Sequence, residues 1–226
     1  NEHWARRRSD PRFLGWLHAI HREVRSECPL LWLDHPSMPK ILNFAYQIDP
    51  NWSLLGIAKC GSTTFDRELG GKYPKYGAKD ELPTKGAIAV IRHPVERILS
   101  YYRDFRVRLG AFPTNHAIPV GISPIEGLDA FCKALIATPD ELRDPHFCSY
   151  GRYTACAEIV HYVALEKLSA TWPKGLPIPF NPDKKHRSTE KDGVRPSPEV
   201  EEALAEAFYA DVLLWEEAVA KAEEDE

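Results

Sequence analysis

The chain has 226 residues, 43% of them hydrophobic and 27% charged, which is enough for one α/β domain with a complete core. Its formal net charge of −4 argues against a nucleic-acid binder driven by bulk charge, and no apolar run approaches the ~18 residues of a membrane-spanning helix. Cys28, Cys60, Cys132, Cys148 and Cys156 form no Cys-x-x-Cys pair and no zinc pattern, so reduced thiols are expected, with a Cys148–Cys156 bridge as the competing arrangement.

In chain order, Phe13, Leu17, Ile20 and Val24 share one face and predict an amphipathic helix over 11–27, after which Pro29, Pro36 and Pro39 make the chain irregular. Residues 41–48 read as an edge strand that turns at Asp49-Pro50-Asn51 into a second strand over 52–58. A helix over 63–69 is stopped by Gly70-Gly71, and 70–86 reads as loop. Ala87-Ile88-Ala89-Val90-Ile91 is a continuous apolar run of the length and kind of a buried parallel strand. Pro94 opens the next helix, in which Val95, Ile98, Leu99, Tyr102 and Phe105 fall on one face. A loop over 110–124, a helix over 125–137, a loop over 144–151 and a third buried strand over 159–165 follow. The proline-rich stretch 171–198 reads as a long loop, and Ser197 with Pro198 starts a helix running to about 221. The organisation is a single domain over 1–226. It comprises an N-terminal helix and irregular segment (1–50), an α/β core (52–170), the long loop (171–198) and a C-terminal helix (199–221). Strands alternating with helices predict a three-layer α/β/α arrangement around a central parallel sheet.

Two segments carry chemistry. In the first, the apolar strand ends in Lys59-Cys60-Gly61-Ser62-Thr63-Thr64 and a helix begins. Backbone N–H groups at a helix start lack intrahelical partners, and with Lys59 and the hydroxyls they suit a phosphate- or sulfate-sized group. The chain lacks Gly-x-x-x-x-Gly-Lys-[Ser/Thr] and a second strand ending in Asp, so a triphosphate with magnesium is disfavoured. In the second, Arg92 ends the buried strand where open α/β sheets place ligands, and Arg97 and Ser100 lie three apart on the helix after it. These residues suit a second anion; ion pairs of Arg92 and Arg97 with Glu96 or Asp104 are the plainer alternative.

Together the segments resemble the 5′-phosphosulfate loop and the 3′-phosphate motif of sulfotransferases that use 3′-phosphoadenosine 5′-phosphosulfate (PAPS). The family's Pro-Lys-x-Gly-[Ser/Thr]-[Ser/Thr] is matched from Ala58 to Thr63, with Ala58 in place of Pro, and Arg-[Asp/His]-Pro-x-x-Arg-x-x-Ser-x-Tyr from Arg92 to Tyr102. Weaker matches to the membrane-associated carbohydrate branch are Asp144-Pro145-His146-Phe147-Cys148, the strand and turn from Ile159 to Leu168, and Phe208-Tyr209-Ala210-Asp211. The resemblance covers roughly 52–215 and implies a P-loop-like sulfotransferase fold. It also implies transfer of a sulfuryl group from PAPS to an acceptor hydroxyl, expected on a glycan or other carbohydrate, without a metal.

Carried over residue by residue, the resemblance implies that Cys60, Gly61, Ser62, Thr63 and Thr64 hold the 5′-phosphosulfate. Lys59 would stabilise the departing oxygen. Arg92, Arg97 and Ser100 would bind the 3′-phosphate, and the cluster Lys185, His186, Arg187 and Ser188 would close over the nucleotide. His146 is the first choice of general base and Glu81 the second, with His116 and Glu68 behind them; His93 supports the second helix and His161 is structural. A kinase-like phosphotransferase and a non-catalytic nucleotide-binding protein on the same fold stay open as alternatives. A cytoplasmic location is expected, or the secretory lumen if an anchor precedes this chain.

Overall fold

The computed structural model describes residues 44–77, 80–107, 127–140, 143, 146–181 and 193–224. The helix expected over 11–27 and the loop over 110–124 lie outside these residues. The apolar run before Arg92 forms β4 (Gly86–Ile91), buried along its whole length. It pairs in parallel with β2 (Trp52–Leu55) on one side and β5 (Ile159–Ala164) on the other. β1 (Phe44–Asp49) forms an antiparallel hairpin with β2, and the Asn51 N–H donates to Asp49 Oδ1 at 2.9 Å across the turn.

The sheet is therefore mixed, which corrects the expectation of a parallel one. Its order is β3 (Lys75–Gly77), β1, β2, β4, β5; β2, β4 and β5 pair in parallel, and β1 pairs antiparallel with both β2 and β3, so β1 runs against the other four described strands. β1 is not the edge strand either. The edge on that side is β3, three residues inside the stretch read as loop, and the opposite edge is β5. The pairing of β3 with β1 and a charge hold it: Lys75 Nζ bonds Asp66 Oδ1 at 2.5 Å and lies 4.8 Å from the centre of the Phe44 ring. β5 is buried only in its second half, and Ile159 is exposed.

Side chains of successive strand residues alternate between two cores. Ala45, Leu55, Ala87, Ala89 and Ile91 face one side, and Tyr46, Leu54, Ile88 and Val90 the other. α1 (Ser62–Leu69) packs on the second side through Phe65 and Leu69, with α5 (Leu168–Thr171) beside it. α4 (Tyr150–Thr154), a short helix inside and just past the expected 144–151 loop, covers the first side. α2 (Pro94–Val107), α3 (Leu128–Ala137) and α6 (Pro198–Ala207) share a third apolar cluster.

The single helix expected at the C-terminus is two. α6 ends at Phe208 (φ −114°, ψ 27°), and α7 (Tyr209–Glu224) continues. Phe208 buries its ring in the helical cluster under the Arg143 guanidinium, 4.3 Å above it, whereas Ala218 of α7 reaches the sheet. One straight helix is replaced by a bent pair that serves both cores. Cys60, Cys132, Cys148 and Cys156 are free thiols, so the Cys148–Cys156 bridge does not form. Among the described residues no helix is long and apolar enough to cross a membrane.

Candidate anion site at the sheet end

β2 and β4 are neighbours and parallel, so the segments that follow them leave the sheet at the same end. After β2 the chain turns through 56–61 into α1, and Lys59 sits at φ 64°. A side chain in the left-handed region costs about 1–2 kcal/mol, so the turn stores strain at this residue. Gly61 is at φ 86°, and a Cβ there would come within 3.0 Å of Phe65 Cζ. Gly61→Ala is expected to lower unfolding free energy by about 1–2 kcal/mol in a denaturant melt, and a loss below about 0.5 would refute that role.

The loop's own hydrogen bonds narrow the donors available. The Cys60 N–H donates to Ile57 O at 3.2 Å and the Thr64 N–H to Gly61 O at 2.9 Å. These two amides are engaged within the loop, which leaves the amides of Gly61, Ser62 and Thr63 and the hydroxyls of 62–64 as the donors of the expected set. Gly61, Ser62 and Thr63 stand ahead of the first helical bond and are the donors aimed along the helix axis. The Cys60 side chain points into the core, where burial pushes its thiol up to about 11 and keeps it uncharged.

Arg92 follows β4 directly, partly exposed at the same end of the sheet. Its Nε lies 3.5 Å from Glu166 Oε1 and its Nη2 lies 4.0 Å from Glu96 Oε2. Trp215 Nε1 donates to the other oxygen of Glu166 at 3.0 Å, and Arg195 pairs with both Glu96 and Glu201. Ser100 is half-buried two turns along α2. His93 packs edge-on against Trp215 with ring centres 4.9 Å apart, and burial holds its imidazole below the ordinary value.

Arg97 does not join them. It is 1% exposed and turned inward, donating Nη2 to the carbonyl of Cys148 and stacking its Cζ 4.5 Å above the Tyr150 ring. Its Nε and Nη1 make no hydrogen bond among the described residues. The expectation that Arg97 and Ser100 share an open face is corrected by the helix itself. Glu96, Ser100 and Arg103 form the narrow half-exposed strip of α2, whereas Arg97 and Tyr101, four apart, lie on a second buried side.

Around Lys59 the structure gathers a different set. Lys59 Nζ lies 5.6 Å from the centre of the Tyr101 ring, and that ring is 4.9 Å from the His146 ring and 4.4 Å from Phe147. Lys59 and His146 thus flank one aromatic side chain. Glu81 is exposed in the connection from β3 to β4, one residue beyond the turn in which the Gly77 N–H donates to Asp80. Glu68 is half-buried on α1, and His161 is held by the carbonyl of Thr171 at 3.0 Å, a structural role as expected. His116, Lys185, His186, Arg187 and Ser188 lie outside the described residues.

Residue-by-residue reading of the sequence misses the group beneath both loops. Tyr150, wholly buried, meets Cys60 and the backbone of Arg92 through its hydroxyl. Its N–H donates to both oxygens of Asp211, at 3.0 and 3.1 Å. Asp211 closes the Phe208–Asp211 match; Tyr150 carries no local signal, because its partners are 58, 61 and 90 positions away.

Burial pushes the Asp211 carboxyl up from 3.8 to about 6, against the opposing pull of Arg97 and the Tyr150 N–H. Its folded value lies above its unfolded one, so its contribution is complete below about pH 4 and is lost as pH rises through about 6. Asp211→Asn keeps the acceptor oxygen and escapes that loss. In urea unfolding, the variant should gain on the wild type by about 2–3 kcal/mol between pH 4 and pH 7. A difference that stays constant over that range would remove the assignment. No family model matches the chain, and neither a curated protein nor a solved structure matches it.

Proposed function

We propose that this protein is a PAPS-dependent sulfotransferase that moves a sulfuryl group onto an acceptor hydroxyl, on a glycan or other carbohydrate. The observation that carries the reading is the pairing of β2 with β4: two strand–helix units, each with a cation at its start, open side by side at one end of the sheet. One anion loop is a common feature; two on adjacent parallel strands suit a ligand with two separated phosphate-type groups. β1 alone among the described strands runs against the sheet, lying between β3 and a core whose pairings are parallel, which is compatible with a P-loop-like three-layer fold.

The residues fit such a donor. The left-handed turn at Lys59 and Gly61 leaves no Cβ at the second position and directs the N-terminus of α1 outward. PAPS supplies the sulfuryl group when bound. Gly61, Ser62 and Thr63 bind its 5′ end, and Lys59 stabilises negative charge on the oxygen from which sulfur departs. Arg92 binds the 3′-phosphate and in doing so exchanges Glu96 and Glu166 for the ligand. His146 takes the proton of the attacking hydroxyl, its ring packed on Tyr101, the ring that Lys59 also approaches. It is favoured over Glu81 because His146 shares the Tyr101 ring with Lys59, whereas Glu81 is exposed in the connection from β3 to β4. The free thiols of the four described cysteines suit a reducing, cytosolic compartment.

Isothermal titration with 3′-phosphoadenosine 5′-phosphate (PAP) tests the reading. Binding in the micromolar range without magnesium is expected. No heat at high micromolar ligand would defeat it, and tight ATP binding that requires magnesium would favour a phosphotransferase instead. Binding without any transfer to carbohydrate acceptors would favour a non-catalytic nucleotide-binding protein.

A further inference from the structure

Tyr150 touches both anion-binding segments with one side chain. Its hydroxyl donates to the backbone carbonyl of Arg92 and accepts from the Arg92 N–H at 3.1 Å. The same oxygen lies 3.7 Å from Cys60 Sγ, within the loop after β2. The ring beneath it carries the Arg97 guanidinium at 4.5 Å, and the N–H at its base is held by Asp211 from α7. Tyr150 is 0% exposed, so the hydroxyl has no access to solvent and cannot touch a ligand.

Both backbone groups of Arg92 are thus satisfied by one phenol just where β4 ends. Without that phenol both would lose their partner at a half-buried position. A hydroxyl is suited to this task because it donates and accepts at once. Burial holds the Tyr150 phenol well above its ordinary value, so it stays protonated in this role.

We infer that Tyr150 is a positioning residue that fixes the separation of the Cys60 loop from the Arg92 strand end, and so the spacing between the two anions this site accepts. The inference rests on the two-anion reading above and adds a consequence to it. A ligand that engages both loops gains from their spacing being set in advance, as any two-point ligand does. A ligand that engages one loop gains nothing from it. Removing the Tyr150 hydroxyl therefore selects against ligands by their number of anionic ends.

The test is Tyr150→Phe, which deletes one oxygen and keeps the ring under Arg97. PAP probes both ends of the site, and adenosine 5′-phosphate probes one. PAP affinity is expected to fall about tenfold in the variant, while adenosine 5′-phosphate affinity stays within about twofold, both by titration calorimetry. Equal losses for the two ligands, or no loss for either, would overturn the inference. If the wild type binds PAP no better than adenosine 5′-phosphate, the two-anion reading itself fails, and that result is read before the variant is made. Should the variant not fold, hydrogen exchange on the wild type decides. Adenosine 5′-phosphate is expected to slow exchange at 60–63 and at the Arg92 amide together. Slowing confined to 60–63 would overturn the coupling.

Discussion

Lys59→Ala is expected to reduce sulfuryl transfer by about a hundredfold or more while leaving the fold intact. The argument joins charge to geometry. Lys59 is the cation in the turn after β2, and its ammonium lies 5.6 Å from the centre of the Tyr101 ring, which also contacts His146. On the proposed reading, removing it deletes the group that stabilises charge on the departing oxygen. Its cation–π interaction with Tyr101 is worth about 0.5–1 kcal/mol, too little for its removal to unfold the domain. The backbone supplies the control. Lys59 holds φ 64°, a conformation that glycine adopts without penalty, so Lys59→Gly should be more stable than Lys59→Ala by about 1 kcal/mol and equally inactive. Steady-state transfer assays and thermal melts on both variants check this. Residual activity near wild type in either would remove Lys59 from the mechanism. A glycine variant no more stable than the alanine one would show that the strain is not at this residue.

The parts of this site that were legible in the sequence are those written in short stretches of chain. The apolar run 87–91, closed by Arg92 and followed by Pro94, specifies a buried strand and a helix start, and β4 ends and α2 begins there. The same holds for β2, the turn and α1. β3 was not legible, because three residues carry no periodicity and its pairing with β1 depends on Lys75 finding Asp66 and Phe44. The bend at Phe208 was not legible either, since α6 and α7 keep one helical pattern across it and only packing on two cores separates them. Arg97 is the most instructive failure. A helix with one apolar stripe predicts that an arginine on the other side is exposed, and α2 instead is buried on two sides. The available signal was the pair Arg97 and Tyr101, four apart, but nothing local says that loop 146–150 would cover them.

Arg97→Met is expected to lower unfolding free energy at pH 7 by about 3 kcal/mol, and the loss should shrink at pH 5. Two effects oppose each other. The guanidinium is wholly buried, and two of its nitrogens have no hydrogen bond among the described residues, so its desolvation is poorly repaid and a methionine of similar length would relieve it. Against this, Arg97 holds the Cys148 carbonyl and is the strongest counter-charge acting on Asp211. Taking away one partner leaves a buried carboxylate uncompensated, and that penalty exceeds the relief. The pH arm follows from the same balance. With the cation gone, the Asp211 carboxyl rises above its present value of about 6, so it is protonated at pH 5 and its share of the penalty vanishes. Asp211→Asn in the Arg97→Met background removes the charge at every pH and should recover about 2 kcal/mol at pH 7, a coupling that a double-mutant cycle in urea reads directly. Equal losses at pH 5 and pH 7, together with additive single and double variants, would mean that Arg97 acts only through the Cys148 carbonyl and the Tyr150 ring. A variant more stable than wild type at pH 7 would mean that desolvation dominates, and that this charge is retained beneath the two loops at a net expense to the fold.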